Sequence, residues 1–337
     1  MKIFATTIII LHHYQQGSGA VYKYINFWGG KFYFGYLVEL FFLLSGIFVT
    51  QNIEKIYSKS LLFSQFIKGK LIRLLPLLSI SVLVEAGIYI YDRQFLGMDV
   101  QIGLWQIILN CLGIQNGWVT KRTAVNGPTW YISILILCYF IFYILTYIAE
   151  RMKISPYYLY ICMIFLGMSI PTFGIEGPFL NANTARGYIA FFAGVFIVKL
   201  LESFELKRLS KYAWVILGLF LFLYVCEYNF IVEGFNYLLV FLVYPAIIIV
   251  LKSNFSKLLS GQKWIGILGA ASFDVYIWHE PLTALRNLLI QQFSLEWDIT
   301  RVSTMVIFVL IAWCVGIFSY FFLEKPLGAY LKKKLKV

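Results

Sequence analysis

Long apolar runs, broken by short polar turns, fill this chain almost from end to end. A helix crossing the bilayer core needs roughly 20 mostly apolar residues, and shorter runs serve in places. Ten runs qualify as candidates, at 3–14, 33–51, 71–92, 129–149, 156–172, 186–201, 212–229, 234–251, 264–287 and 302–323. The pattern predicts an all-α protein, a polytopic membrane bundle of about ten transmembrane helices. The first run is short because the numbering opens at Met1 almost inside it. Residues 102–114, GLWQIILNCLGIQ, read instead as an amphipathic or re-entrant piece. No linker divides the rest, so 1–330 is read as one transmembrane domain. The last residues, 331–337, form a basic cytoplasmic tail, and LGAYLKKKLKV is a short helix suited to an anionic leaflet.

Charge orients these runs. With the N-terminus inside, 20 of the 28 Lys and Arg fall on the inner side, among them Lys2, Lys70, Arg73, Lys257, Lys332 and Lys336. That bias predicts an even span count with both termini cytoplasmic. It also explains the net charge of +12 as basic inner loops, so no nucleic-acid partner is expected. Composition agrees: 61% of residues are hydrophobic and 13% charged, against about 45–50% and about 25% in soluble domains. No small-residue cleavage site follows the first run, so no cleavable signal peptide is expected. The five Cys are scattered, without a C-x-x-C, and indicate neither a metal site nor a disulfide framework.

An ionisable side chain inside a membrane span is costly and marks a candidate functional site. The first run ends on His12 and His13, two of only three His in the chain. A lone His at a span end is equally well an interfacial residue. The second run, GYLVELFFLLSGIFVT, buries Glu39, while Ser45 and Gly46 suit close helix packing. In FIKGKLIRLLPLL, Lys70 and Arg73 lie at i and i+3 on one helix face. They read either as a phosphate clamp or as a positive-inside anchor. In NGPTWYIS, Trp130 suits the interface belt and Ser133 sits about one turn further on. Arg186 opens the sixth run and could meet an anionic substrate or equally snorkel. In ILGAASFDVYIWHEPL, Ser272, Tyr276 and His279 form a polar stripe facing a cavity, and Asp274 and Trp278 form a second i, i+4 pair. Glu324 and Pro326 are expected to end the last span.

Six segments in this order, KIFATTIIILHHY, VELFFLLSG, FIKGKLIRLLP, NGPTWYIS, LGAASFDVYIWHEP and LEKP, resemble the acyltransferase-3 family of integral-membrane acyltransferases. The resemblance covers nearly the whole chain. It implies an O-acyltransferase that moves an acyl group, acetyl in the first instance, from acetyl-CoA or another acyl-CoA to a hydroxyl. The acceptor it implies is a cell-surface polysaccharide or its lipid-linked precursor, and the setting a bacterial inner membrane. Besides membrane lipid and the glycan acceptor no partner is specified, and neither is an oligomeric state.

Within that resemblance the family's Arg and its His eleven positions on fall at Lys2 and His13. This makes His13 the expected general base or transient acyl carrier, with Glu39 orienting it. The family's R-x-x-R appears as Lys70-Leu-Ile-Arg73 and implies an acyl-CoA phosphate site, to which Lys2 contributes. His12, Trp130, Ser133, Arg186, Ser272, Tyr276 and His279 are the expected substrate-binding or pore-lining residues. Many members carry a Glu where this chain has Leu135. A transporter or flippase for a lipid-linked glycan is the alternative, because buried polar residues serve transport equally well. An interaction or assembly subunit would not need Glu39, Asp274 and His279 inside spans.

Overall fold

A computed structural model describes residues 1–96, 102–119, 124–226, 235–254 and 262–335. Its elements in order are α1 Lys2–Ser18, α2 Leu37–Val49, α3 Ile53–Tyr57, α4 Phe63–Phe95, α5 Leu104–Cys111, α6 Trp130–Met152 and α7 Pro156–Thr172. There follow α8 Ala182–Ser203, α9 Leu206–Val225, α10 Phe235–Leu238, α11 Tyr244–Asn254, α12 Lys263–Gln292, α13 Val302–Ser319 and α14 Lys325–Leu335. Among the described residues the architecture is all-helical. The ends of the runs predicted at 212–229 and 234–251, together with Lys257 and Lys336, lie outside the described residues.

By length and apolarity, six helical stretches suffice to cross a membrane: Phe34–Tyr57, Phe63–Phe95, Gly127–Met152, Ala182–Ser203, Leu206–Val225 and Val302–Leu335. Pro156–Thr172 and Leu239–Ser253 are apolar but shorter. Of the other two predicted runs, α1 has only 17 residues. The 30-residue α12 is long enough but carries Asp274, His279, Glu280 and Arg286 along its length. The predicted piece at 102–114 is a helix of 8 residues, α5, too short to span.

Local signals fix several boundaries. Gly19, at φ 65°, ends α1 in the left-handed conformation that glycine accepts without steric cost. Asn181 Oδ1 accepts from the Asn183 and Thr184 N–H groups, and Thr184 Oγ1 accepts from the Asn181 N–H, so a reciprocal cap starts α8. Pro156 opens α7 at its first turn, where its missing N–H costs nothing. The helix does not break at Glu324 and Pro326, the expected end of the last span. A π-helical turn at Tyr320–Glu324 carries α13 into α14, which runs on to Leu335. Pro326 falls in the first turn of α14, where a proline is tolerated.

The bundle is held most tightly where α2 crosses α8. A Cβ on Gly46 would fall on the Phe191 carbonyl, and one on Gly194 would fall on the Leu43 carbonyl. The two backbones therefore touch, which is the packing role expected of Gly46. Gly316 likewise lets α13 lie against Val275 of α12. The predicted Asp274–Trp278 pair meets on that same seam. Ser319 Oγ donates to Asp274 Oδ1 at 2.8 Å and accepts from Trp278 Nε1 at 2.8 Å. All five cysteines are free thiols, and Cys162, Cys226 and Cys314 are exposed on the outside of the bundle.

Candidate active site

Six helices, α1, α2, α4, α6, α12 and α14, supply the wall of one large cavity, of about 510 Å³. At one end stand Lys2 of α1, Lys70 and Arg73 of α4, and Lys332 of α14. Further in lie Ser45, Tyr131 and Tyr139, and opposite them Ser272 and Tyr276 of α12. Lys2, Lys70, Arg73, Ser272 and Tyr276, read separately from the sequence, thus share one space. Tyr131 and Tyr139 were missed, because aromatic residues in an apolar run look like core. Lys332 was read only as a lipid anchor.

The cations at this mouth have little internal counter-charge. Arg73 Nε lies 3.8 Å from Glu324 Oε1, a loose contact. Lys70 Nζ rests 4.6 Å from the centre of the Tyr139 ring and 5.4 Å from that of Phe66, and Lys2 Nζ rests 5.2 Å from that of Phe48. These aromatic contacts hold the lysine stems while leaving the ammonium protons free to bind an anion.

The cavity leads towards the histidines. The Tyr276 hydroxyl donates to the Pro128 carbonyl at 2.6 Å, and its ring lies 5.6 Å from that of His279. His279 in turn stacks on His13, centre to centre 5.3 Å and 29° from parallel. A backbone acceptor fixes the His279 tautomer, and the Gln16 amide, presenting its oxygen, favours the same one at His13. His279 Nδ1 is 2.5 Å from the Tyr276 carbonyl, and His13 Nδ1 is 3.2 Å from Gln16 Oε1. An oxygen that only accepts requires the proton on Nδ1, so each Nε2 carries a lone pair. His279 is buried and its Nε2 has no hydrogen-bond partner. His13 is half-buried, and α1 continues beyond it to Ser18, so it lies inside the helix rather than at its end.

The structure reassigns five of the expected site residues. Glu39 is fully buried, and Arg186 rather than His13 takes both its oxygens, at 2.6 and 3.1 Å. Arg186 also donates to the Gly35 carbonyl at 3.0 Å and lies 4.8 Å from the centre of the Trp130 ring. This is a bidentate pair at the α2–α8 seam, where an unmatched buried carboxylate would be strongly destabilising. Arg186 is therefore neither snorkelling nor free for a substrate, and Trp130 is buried against it instead of lying in an interface belt. Ser133 is buried but bonds the backbone of Asn116, accepting from its N–H at 3.2 Å and donating to its carbonyl at 2.6 Å. His12 is buried, donates from Nδ1 to the Phe27 carbonyl at 2.6 Å and packs against Trp28 and Tyr33. It anchors the loop after α1.

With the cavity and the histidine pair in place, the comparisons agree with the geometry. Residues 1–324 match the family model described as the acyltransferase domain of acyltransferase-3 type, and the chain belongs to that family. It is a membrane acyltransferase. Neither a curated protein nor a solved structure matches the chain.

Proposed function

We propose that this acyltransferase carries an acyl group, acetyl in the first instance, from acyl-CoA to a hydroxyl of a cell-surface polysaccharide or its lipid-linked precursor. The observation that carries this reading is the cavity that opens among Lys2, Lys70, Arg73 and Lys332 and closes at Tyr276 beside the His279–His13 stack. A cluster of cations without matching carboxylates suits the phosphates of coenzyme A. Arg73 offers a planar fork and the lysines offer point charges. The hydroxyl-bearing interior, with Ser45, Tyr131 and Ser272, suits the amide-bearing pantetheine arm.

In this reading the thioester lies past Tyr276, within reach of His13. His13 Nε2 takes the proton of the acceptor hydroxyl as its oxygen attacks the thioester carbonyl. The tetrahedral adduct collapses, the carbon–sulfur bond breaks, and the leaving thiolate takes that proton from His13. The proton count is unchanged over the cycle. Lys2 stays at the mouth, because eleven helical residues separate it from His13 by roughly 16 Å.

The cation mouth faces the cytoplasm in this reading, where acyl-CoA is made. Ten crossings with both termini inside, in a bacterial inner membrane, satisfy the charge bias, with α1, α7, α11 and α12 completing the six longer spans. The test is transfer of label from radiolabelled acetyl-CoA into glycan of membranes holding wild type or His13→Ala at matched abundance. Loss of a general base lowers incorporation by about 10²–10⁴-fold. Full incorporation in the variant removes His13 from the mechanism.

A further inference from the structure

Helix α4 carries a second polar array that begins twelve residues beyond Arg73, away from the cation mouth. Glu85 is fully buried in an apolar stretch, SVLVEAGIYIY. Tyr89, one turn on, donates its hydroxyl to Glu85 Oε1 at 3.1 Å, while Glu85 Oε2 has no hydrogen-bond partner. Tyr89 also lines an open cavity of about 310 Å³ with Ile90, Arg93, Gln94 and Ile102. From α12, Glu280 lies within electrostatic reach of Glu85, and its Oε2 is 4.0 Å from the unpartnered His279 Nε2. The polar groups on these two packed helices thus form a series, from Tyr89, Arg93 and Gln94 at an open cavity, to buried Glu85, and on α12 to Glu280 beside the histidine stack.

Neither a packing role nor donor binding accounts for this. Two carboxyl groups offer a phosphate no counter-charge, so the array does not suit coenzyme A. A buried carboxylate oxygen without a donor is costly unless something supplies one. Hydroxyl groups do: a carboxylate accepts, Tyr89 both accepts and donates, and Arg93 and Gln94 add donors at the rim. We propose that Glu85, Tyr89, Glu280, Arg93 and Gln94 form the acceptor site, and that its ligand is an uncharged polyhydroxyl sugar. The sugar enters through the cavity beside Tyr89 and presents one hydroxyl to His13, while Glu85 and Glu280 accept from its neighbours. This rests on the acyl-transfer reading above. It adds that donor and acceptor approach the histidines from opposite ends of the bundle.

The test compares wild type with Glu85→Gln and Tyr89→Phe, both nearly isosteric. Two quantities are measured: incorporation of labelled acetyl into membrane glycan across a range of glycan concentrations, and thermal stabilisation of the purified protein by coenzyme A. The proposal expects the glycan KM to rise at least tenfold in both variants, with stabilisation by coenzyme A within twofold of wild type. Tyr89→Phe keeps the ring but loses the hydroxyl, so it separates bonding to the ligand from packing. Unchanged glycan KM alongside active wild type overturns the acceptor site and leaves the acyl-transfer reading standing. Loss of coenzyme A stabilisation in both variants also overturns it, by making the array structural. Absence of transfer by wild type, with coenzyme A still bound, overturns both readings together.

Discussion

Two groups of cations in this molecule are handled in opposite ways. Arg186 is sealed between α2 and α8, with both Glu39 oxygens, the Gly35 carbonyl and the Trp130 ring around it. Lys2, Lys70, Arg73 and Lys332 surround a cavity, and among the described residues the carboxylate paired with them is Glu324, 3.8 Å from Arg73. A cation whose counter-charge is built in serves the fold. Cations gathered without one keep their pairing capacity for something that arrives. Sequence hydropathy treats the two groups alike, since both stand at the ends of apolar runs.

The contrast can be broken most severely at the sealed pair. Arg186→Ala leaves Glu39 buried and unmatched, and removing one partner of such a pair costs about 3–5 kcal/mol. The expected outcome is a large drop in melting temperature in detergent, with poor recovery of folded protein. A variant as stable as wild type would show that the pair does not hold the seam. At the open group the expectation reverses. Lys70→Ala combined with Arg73→Ala should raise the acyl-CoA KM about ten- to thirtyfold, or roughly 1.4–2 kcal/mol, with melting within a few degrees of wild type. The wild-type KM should also climb with ionic strength, because these charges stand at a solvent-open mouth. Equal KM values in variant and wild type would return both residues to plain topology anchors. A second stability effect is expected at the α2–α8 packing contact. Gly46→Ala inserts a methyl group onto the Phe191 carbonyl and should cost about 1–3 kcal/mol, read as earlier melting with the acyl-CoA KM unchanged.

Much of this was legible in the sequence, and the misses have physical causes. Hydropathy delimits Pro156–Thr172 to the residue, because Ser155-Pro156 starts that helix and polarity returns after it. It ends the first run too early. Gln15 and Gln16 look like a loop, yet Gln15 is a buried bracket inside α1. Its amide donates to the Ala20 carbonyl and Asn26 Oδ1, and its oxygen accepts from the Phe27 and Trp28 N–H groups. The Lys70–Arg73 pair was visible through helical spacing, charge bias put Lys2 on the same side, and the family resemblance joined Lys2 to the pair. The Glu39–Arg186 pair was not, since its members lie 147 positions apart and no local pattern links them. Glu85 stood in plain view inside an apolar run and carried the same signal as Glu39.

Helix α4 is one continuous rod from Phe63 to Phe95, and it carries Arg73 and Glu85 twelve positions apart. At 1.5 Å per residue, that separates them by about 18 Å. A helix does not shorten, so the two ends of the reaction path cannot be brought together by closing the protein around its substrates. On the acyl-transfer proposal the two substrates together span that distance, the donor with its charged end held at the mouth and its reactive end extended towards His13, and the acceptor reaching in from the other end. The rod then acts as a ruler. Acyl carriers with a shorter arm between phosphate and thioester would dock and fall short, and selection among donors becomes a matter of reach.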